Sequence, residues 1–176
     1  MQNIEHLRDA ILAHAYTTQQ CRHVVEVLQT FLELYLFSQA PHTPAKKRLE
    51  VFFERHAPDQ YATDVLKALD EEFYQSFTAQ NAYETLERLG KAFDELPSIV
   101  LYVPIAFPVA HTKDIGMWLR KNTQQRMLVK MIVEPDIAAG GAIVKDGVYY
   151  DFSFRYFLRA REAELLATIH EHAYAS

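Results

Sequence analysis

Gly140-Gly141 is the first stretch to weigh for chemistry, because paired glycines let backbone amides come close to a phosphate. A phosphate cradle needs further glycines and a following helix. The residues that follow, Ala142-Ile143-Val144, have strand character, so the pair reads as a tight backbone turn. Ser153 lies two positions after Asp151, and His111 completes the residue types of acyl transfer. There is no Gly-x-Ser-x-Gly elbow, and nothing places a base or an oxyanion hole. Asp151 or Ser153 reads instead as the cap of a helix that Arg155 enters, where a carboxylate is favourable.

For a metal the candidates are His170-Glu171-His172 and His14. On a helix, His170 and His172 are two apart and point to different sides, so they cannot share an ion as an i, i+4 pair would. The acids Asp70-Glu71-Glu72 splay around a helix in the same way and read as a solvated face rather than a paired-carboxylate site. Cys21 falls on an apolar helical stripe, which describes a buried, inert thiol. These readings predict no catalytic residue, no cofactor site and no metal site.

Composition narrows the function classes. The chain has 176 residues, enough for one good core or two small ones, with 49% hydrophobic and 23% charged residues. A net charge of −5 argues against a nucleic-acid partner, since phosphate binding needs a clustered basic surface. The dense basic run Lys46-Lys47-Arg48 is offset by Glu50 and Glu54. A single cysteine excludes an internal disulfide and fits a reducing compartment. The start, MQNIEHLRDA, lacks the basic and apolar regions of a secretory signal, and the apolar runs are interrupted by Glu26, Gln29 and Glu33. Any membrane association is therefore expected to run through a partner.

The elements that must position these residues fall into two textures. Ile4, Leu7, Ile11 and Ala15 repeat at helical spacing. Cys21 to Phe37 is the most apolar helix, with only a narrow polar strip, and is expected at the centre of a bundle. Ser38 to His42 reads as a turn. Thr43-Pro44 reads as N-cap and N1 of a helix to about His56. One helix after Pro58 is expected to carry Ala62, Val65, Leu66, Leu69 and Phe73. Asn81 and Glu84 read as the capping box of the next, which is expected to bury Tyr83 as well as Leu86 and Leu89. Five helices up to residue 96 predict an antiparallel bundle over 1–97.

From Ser98 the pattern changes. Ile99 to Val103 reads as a strand, Thr112 as the cap of a short helix with Ile115, Trp118 and Leu119 inside, and Arg126 to Val133 as a second strand. Ala142-Ile143-Val144 and Val148-Tyr149-Tyr150 flank Lys145-Asp146-Gly147, where Asp-Gly tolerates the positive φ of a hairpin turn. A last helix runs from Arg155 toward Ile169. The predicted fold class is α+β: an N-terminal antiparallel helical bundle, 1–97, followed by a small α/β domain with a β-hairpin, 98–176.

One string within the second part resembles a known signature. Glu134 and Pro135, then Ile137, Gly140, Gly141, Val144, Lys145 and Gly147, then Asp151, Ser153 and Arg155, are similar to the C-terminal pattern of the ATP synthase delta subunit family, the oligomycin-sensitivity-conferring protein of mitochondria. Two alanines separate Ile137 from the glycine pair where the family usually has one residue. The turn is one residue shorter, so the span from Pro135 to Asp151 is kept. The order of helical part, strand, helix and signature follows the family layout over nearly the whole chain.

The resemblance implies a non-catalytic stator subunit. Its bundle would grip the N-terminal segments of the alpha subunits, and its second part would meet the C-terminal ends of the b subunits. It would sit peripherally on the cytoplasmic, matrix or stromal face of an energy-transducing membrane and allow proton transport to be coupled to ATP synthesis. A clamp of this kind suits apolar helix-in-groove contacts. Two other readings stay open: a small soluble enzyme with a pocket near Gly140-Gly141 that uses Asp151, Ser153, Tyr149 or Tyr150, and an adaptor unrelated to the synthase.

Overall fold

The computed structural model describes residues 2–37 and 43–173, with side chains over 4–37 and 43–170. The turn expected over Ser38 to His42 lies outside the described residues. The fold class is α+β, with N-terminal helices followed by a small four-stranded sheet. The chain divides into two compact units: Met1–Pro97 with Lys113–Leu128, and Ser98–Thr112 with Val129–Ser176.

The first unit is built from α1 (Gln2–His14), α2 (Thr18–Phe37), α3 (Ala45–His56), α4 (Gln60–Ala68), α5 (Glu71–Gln75) and α6 (Ala79–Asp94). Its core takes Leu7 and Ile11 from α1, Val24, Leu28 and Phe31 from α2, Phe52 from α3, Val65 from α4 and Leu89 and Phe93 from α6. Phe31 lies at the centre, edge-on to Phe52 at 5.4 Å and to Tyr74 at 5.2 Å between ring centroids. The Tyr74 hydroxyl donates to the Leu66 carbonyl at 2.6 Å, which satisfies the one polar atom this ring carries into the core. Burial holds that hydroxyl protonated by pushing its pKa up.

Several boundaries differ from the sequence expectation. The helix expected after Pro58 is two helices: Leu69 takes an extended conformation, and Asp70 restarts the chain as N-cap of α5, accepting from the Phe73 amide at 2.7 Å. A side chain that can bind its own backbone competes with helix continuation. Thr78 and Asn81, not Asn81 and Glu84, form the capping box of α6. Tyr83 is 56% exposed. A second capping box opens α2: the Gln20 amide bonds Thr17 Oγ1 at 3.0 Å while the Thr17 amide bonds Gln20 Oε1 at 3.2 Å. Pro44, not Thr43, is the N-cap of α3, and it makes no side-chain cap bond. At its far end α2 is not buried all round, since Leu34 and Phe37 are exposed.

The sheet has β1 (Ser98–Val103), β2 (Leu128–Val133), β3 (Ala142–Lys145) and β4 (Val148–Asp151) in the order β2-β1-β3-β4. The Leu128 amide bonds the Pro97 carbonyl and the Glu134 amide bonds the Val103 carbonyl, a constant offset that makes β1 and β2 parallel. Helix α7 (Val109–Thr123) is their crossover. β3 is antiparallel to both β1 and β4, with Leu101 opposite Ile143 and Lys145 opposite Val148. Asp146 and Gly147 form the two-residue turn at φ 51° and 77°, as Asp-Gly predicts.

Two expectations for α7 are corrected. It begins directly after Pro108, whose carbonyl takes the Thr112 amide, so Thr112 is a buried residue of the first turn and not its cap. Trp118 is 63% exposed while Leu119 is buried. The expected 98–176 domain is likewise not one stretch, because Lys113–Leu128 belongs with the helical unit. Arg120 explains why: its guanidinium bonds carbonyls at the end of α1, and Gly116 lies hard against Tyr16. The last helix is also two, α8 (Phe154–Ala160) and α9 (Glu162–Ala173), broken at Arg161.

Candidate partner-binding surfaces

The residues of the glycine-containing string come together in one connected backbone structure. After β2, Pro135–Ile137 makes one turn of 3-10 helix. Ala138 follows at φ 58°, and the Ala139 amide bonds the Ile137 carbonyl at 2.7 Å, a tight γ-turn that reverses the chain. Gly140 has φ 84°, and a Cβ there would lie 2.3 Å from the Phe152 carbonyl oxygen. No other residue fits both demands. A Cβ on Gly141 would come within 2.9 Å of the Tyr102 carbonyl oxygen. The Phe152 and Phe154 amides bond the Gly141 and Ala139 carbonyls, each at 2.9 Å, tying the segment before β3 to the segment after β4. The space beside the glycine pair is thus filled by backbone oxygens.

Asp151, Ser153 and Arg155 hold the other side of this structure. Asp151 Oδ1 accepts from the Ser153 amide at 2.8 Å, and Ser153 Oγ accepts from the Tyr156 amide at 3.2 Å as N-cap of α8. Hydrogen bonding from Ser153, with smaller contributions from Arg155 and Arg159, holds the Asp151 carboxyl below its usual range. Arg155 Nη2 reaches the Asp136 carbonyl at 3.5 Å. Among the described residues His111 makes no hydrogen bond to Asp151 or Ser153. The buried Ser153 hydroxyl therefore has a capping role at the start of α8.

The other chemical candidates have structural roles as well. His14 sits 4.0 Å from Asp64. Among the described residues no three His, Cys, Asp or Glu side chains converge in a way that could hold a metal ion. His170 is exposed on α9, and the side chain of His172 lies outside the described residues. The acids at 70–72 are not simply a solvated face: Asp70 caps α5, and both Glu71 carboxylate oxygens accept from the Ala45 amide, at 2.8 and 3.0 Å. Glu71 thereby covers an N-terminal amide of α3 that Pro44 leaves uncapped. Cys21 is buried, and desolvation pushes its thiol up to about 12.

What the two units offer a partner is apolar surface. In the first, a cleft of about 500 Å³ has Leu49, Phe53 and Leu69 on its floor and Lys46, Lys67 and Glu71 on its rim. A shallower groove between α2 and α6 is lined by Leu32, Leu36, Phe37, Ala82, Tyr83 and Leu86. There the Tyr83 hydroxyl and the Gln29 amide both donate to Glu33 Oε1, at 2.9 and 3.1 Å, and lower the carboxyl pKa. Glu33 thus stays ionised on the lip of an apolar groove. Sequence reasoning placed Tyr83 in the core because it borders the buried stripe of α6; the acid that bonds it is fifty residues away.

In the second unit, Val148, Tyr149, Tyr150 and Phe152 are exposed along the hairpin edge. Phe154, Tyr156, Phe157 and Leu158 are exposed on α8, and Leu165, Leu166 and Ile169 on α9. So many large apolar side chains in succession are far more than the scattered singles of an ordinary surface.

No protein-family model matches this chain, and no curated protein matches it. Among the described residues no helix is long and apolar enough to cross a membrane.

Proposed function

We propose that this chain is a peripheral-stalk subunit of the delta type, a non-catalytic clamp that links the alpha/beta head of a rotary ATP synthase to its b-subunit stalk. The reading rests on the signature from Glu134 to Arg155. Its glycines, Asp151, Ser153 and Arg155 serve one connected backbone structure, so the similarity falls on residues that share a structural task. Exposed apolar surface on each unit, taken separately, supports two attachment points. Proton flow drives synthesis only if the head is held still against the turning central stalk, and a clamp contributes to this by shape and contact.

The experiment is isolation of native complexes through a tag on this chain, under mild conditions, with the co-purifying chains identified by mass spectrometry. The reading expects alpha and b subunits together. Consistent absence of both overturns it.

A further inference from the structure

We infer that the groove between α2 and α6 takes an amphipathic helix that carries lysine or arginine along one border of its apolar stripe. This rests on the stalk reading only for which chain supplies the helix, and deepens it by stating the charge that helix must carry. Leu32 and Leu86 lie buried at the base of the groove, and Phe37 and Tyr83 are exposed at its lips. An apolar trough of this kind suits the face of a third helix.

Charge on the two helices selects the occupant. Their lysine and arginine side chains are Arg22, Arg88 and Lys91, and each lies 2.7 Å from a carboxylate, of Asp94, Glu84 and Glu87 respectively. The acids left over are Glu26 and Glu33, so the surplus is negative and sits on α2. Seven residues apart, the two lie on one side of α2, with the groove residue Gln29 between them. Among the described residues neither is paired with a lysine or arginine. Glu33 receives only neutral donors, the Tyr83 hydroxyl and the Gln29 amide. His23 stands 3.8 Å from Glu26 but nearer, at 3.4 Å, to Asp59, so one imidazole is shared by two acids. Arg48 lies over the Tyr35 ring, on a different side of α2 from Glu33.

Gly90 supplies the shape. It follows Tyr83 by seven residues and Leu86 by four, which puts it on the groove side of α6. Glycine weakens a helix interior, and a Cβ here would meet nothing within 4 Å. Among the described residues no contact calls for the missing side chain, whereas a helix laid in the groove gains closer approach from it. A second copy of this chain, of net charge −5, and an anionic bilayer would each bring negative charge to a surface that already has a surplus, and both are disfavoured.

The test uses the intact chain and two designed helical peptides with the same leucine stripe, one bordered by lysine and one by glutamate, with binding followed by fluorescence anisotropy. The lysine peptide is expected to bind about tenfold more tightly or better, with the difference shrinking as salt rises from about 50 to about 500 mM. Glu26→Gln with Glu33→Gln keeps the side-chain shapes and is expected to remove most of that preference. Gly90→Leu is expected to weaken both peptides about tenfold while melting no lower than wild type, because leucine favours the helix and the space is open.

Equal binding of the two peptides, a preference unchanged by the glutamine substitutions, or indifference to Gly90→Leu overturns the assignment. So does a dimer of the chain itself, seen by sedimentation, that Gly90→Leu dissolves, or equally tight capture by phosphatidylserine vesicles. A peptide from the N-terminal end of the synthase alpha chain is measured in parallel. If it binds without dependence on Glu26, Glu33 or Gly90, this assignment falls and the stalk reading stands. If the lysine peptide obeys all three expectations while neither alpha nor b co-purifies with the chain, the groove keeps its assignment and the stalk reading falls.

Discussion

Arg120 Nη2 donates to the carbonyl oxygen of Ala15 at 2.7 Å, joining residues 105 positions apart in the chain. The same guanidinium donates to the Leu12 carbonyl through Nη1 and to the Met127 carbonyl through Nε, and its carbon lies 4.5 Å above the Tyr16 ring. The last carbonyls of α1 have no helical partners, and a cation at that end also meets the negative pole of the helix. One side chain therefore does for α1 what a C-terminal glycine motif does elsewhere.

Arg120→Met is expected to lower the stability of the first unit by about 3 kcal/mol, because it leaves partly buried carbonyls without donors and removes the ring stacking. Arg120→Lys restores the charge without the planar fork and is expected to recover less than half of that loss. Urea denaturation of the three proteins measures both. Equal stability of wild type and Arg120→Met would show that water replaces the guanidinium at no cost.

The glycines of the second unit separate two effects. Gly147 has φ 77° and open space around its Cα, so Gly147→Ala is expected to cost only the strain of positive φ, about 1 kcal/mol. Gly140→Ala adds a collision with the Phe152 carbonyl oxygen, on backbone held by the Phe152 and Phe154 amide bonds to Gly141 and Ala139, and is expected to cost about 3 kcal/mol or more. Amide exchange across β3 and β4 reports the difference, and equal protection in the two variants would contradict it.

These contacts show what the amino-acid order makes legible. Asp146-Gly147 declares its hairpin because the two residues themselves carry the conformation, and the β-branched runs beside them carry the strands. The break at Leu69 is invisible because Leu69 completes the apolar stripe of α4 while Asp70 and Glu71 look like its polar side. Only the fold reveals that Asp70 turns back on Phe73 and that Glu71 reaches Ala45. Trp118 falls on an apparently apolar face of α7, yet Gly116 and Leu119 take the inward positions, and the position of Tyr16 decides that. Of the candidate surfaces, the glycine signature could be read as backbone geometry from the start. The exposed stripe of α8 could not, since an apolar helix face read alone always suggests a core.

The cap at Asp151 predicts a pH response. Its folded pKa is depressed, so its contribution is present above the ordinary aspartate value, about 3.9, and is lost as pH falls through the lower folded value. The Ser153 and Tyr156 amide resonances are expected to move together below about pH 4, as the carboxyl gains a proton and the start of α8 loosens. Asp151→Asn should flatten the profile at Ser153. A midpoint at the ordinary aspartate value, or no movement at Ser153, would show that the bond does not hold the carboxylate in solution.

Phe37 and Tyr83 supply the last prediction, which separates stability from attachment. Phe37 is 68% exposed, and Tyr83 is 56% exposed with its hydroxyl bonded to Glu33. Exchanging such surface residues usually changes stability by less than about 0.5 kcal/mol. Phe37→Glu and Tyr83→Glu should therefore melt close to wild type, although the second sets a new carboxylate near Glu33 and is expected to lie at the lower edge of that range. If the groove between α2 and α6 receives an apolar helix from the head of the synthase, a charge in its centre is left desolvated and unpaired on binding. Each substitution should then deplete alpha subunits from the native complex while b subunits remain, because the proposed function puts the b attachment on the other unit. Joint retention of alpha and b in both variants would remove this groove from the head-binding surface and direct attention to the cleft floored by Leu49 and Phe53.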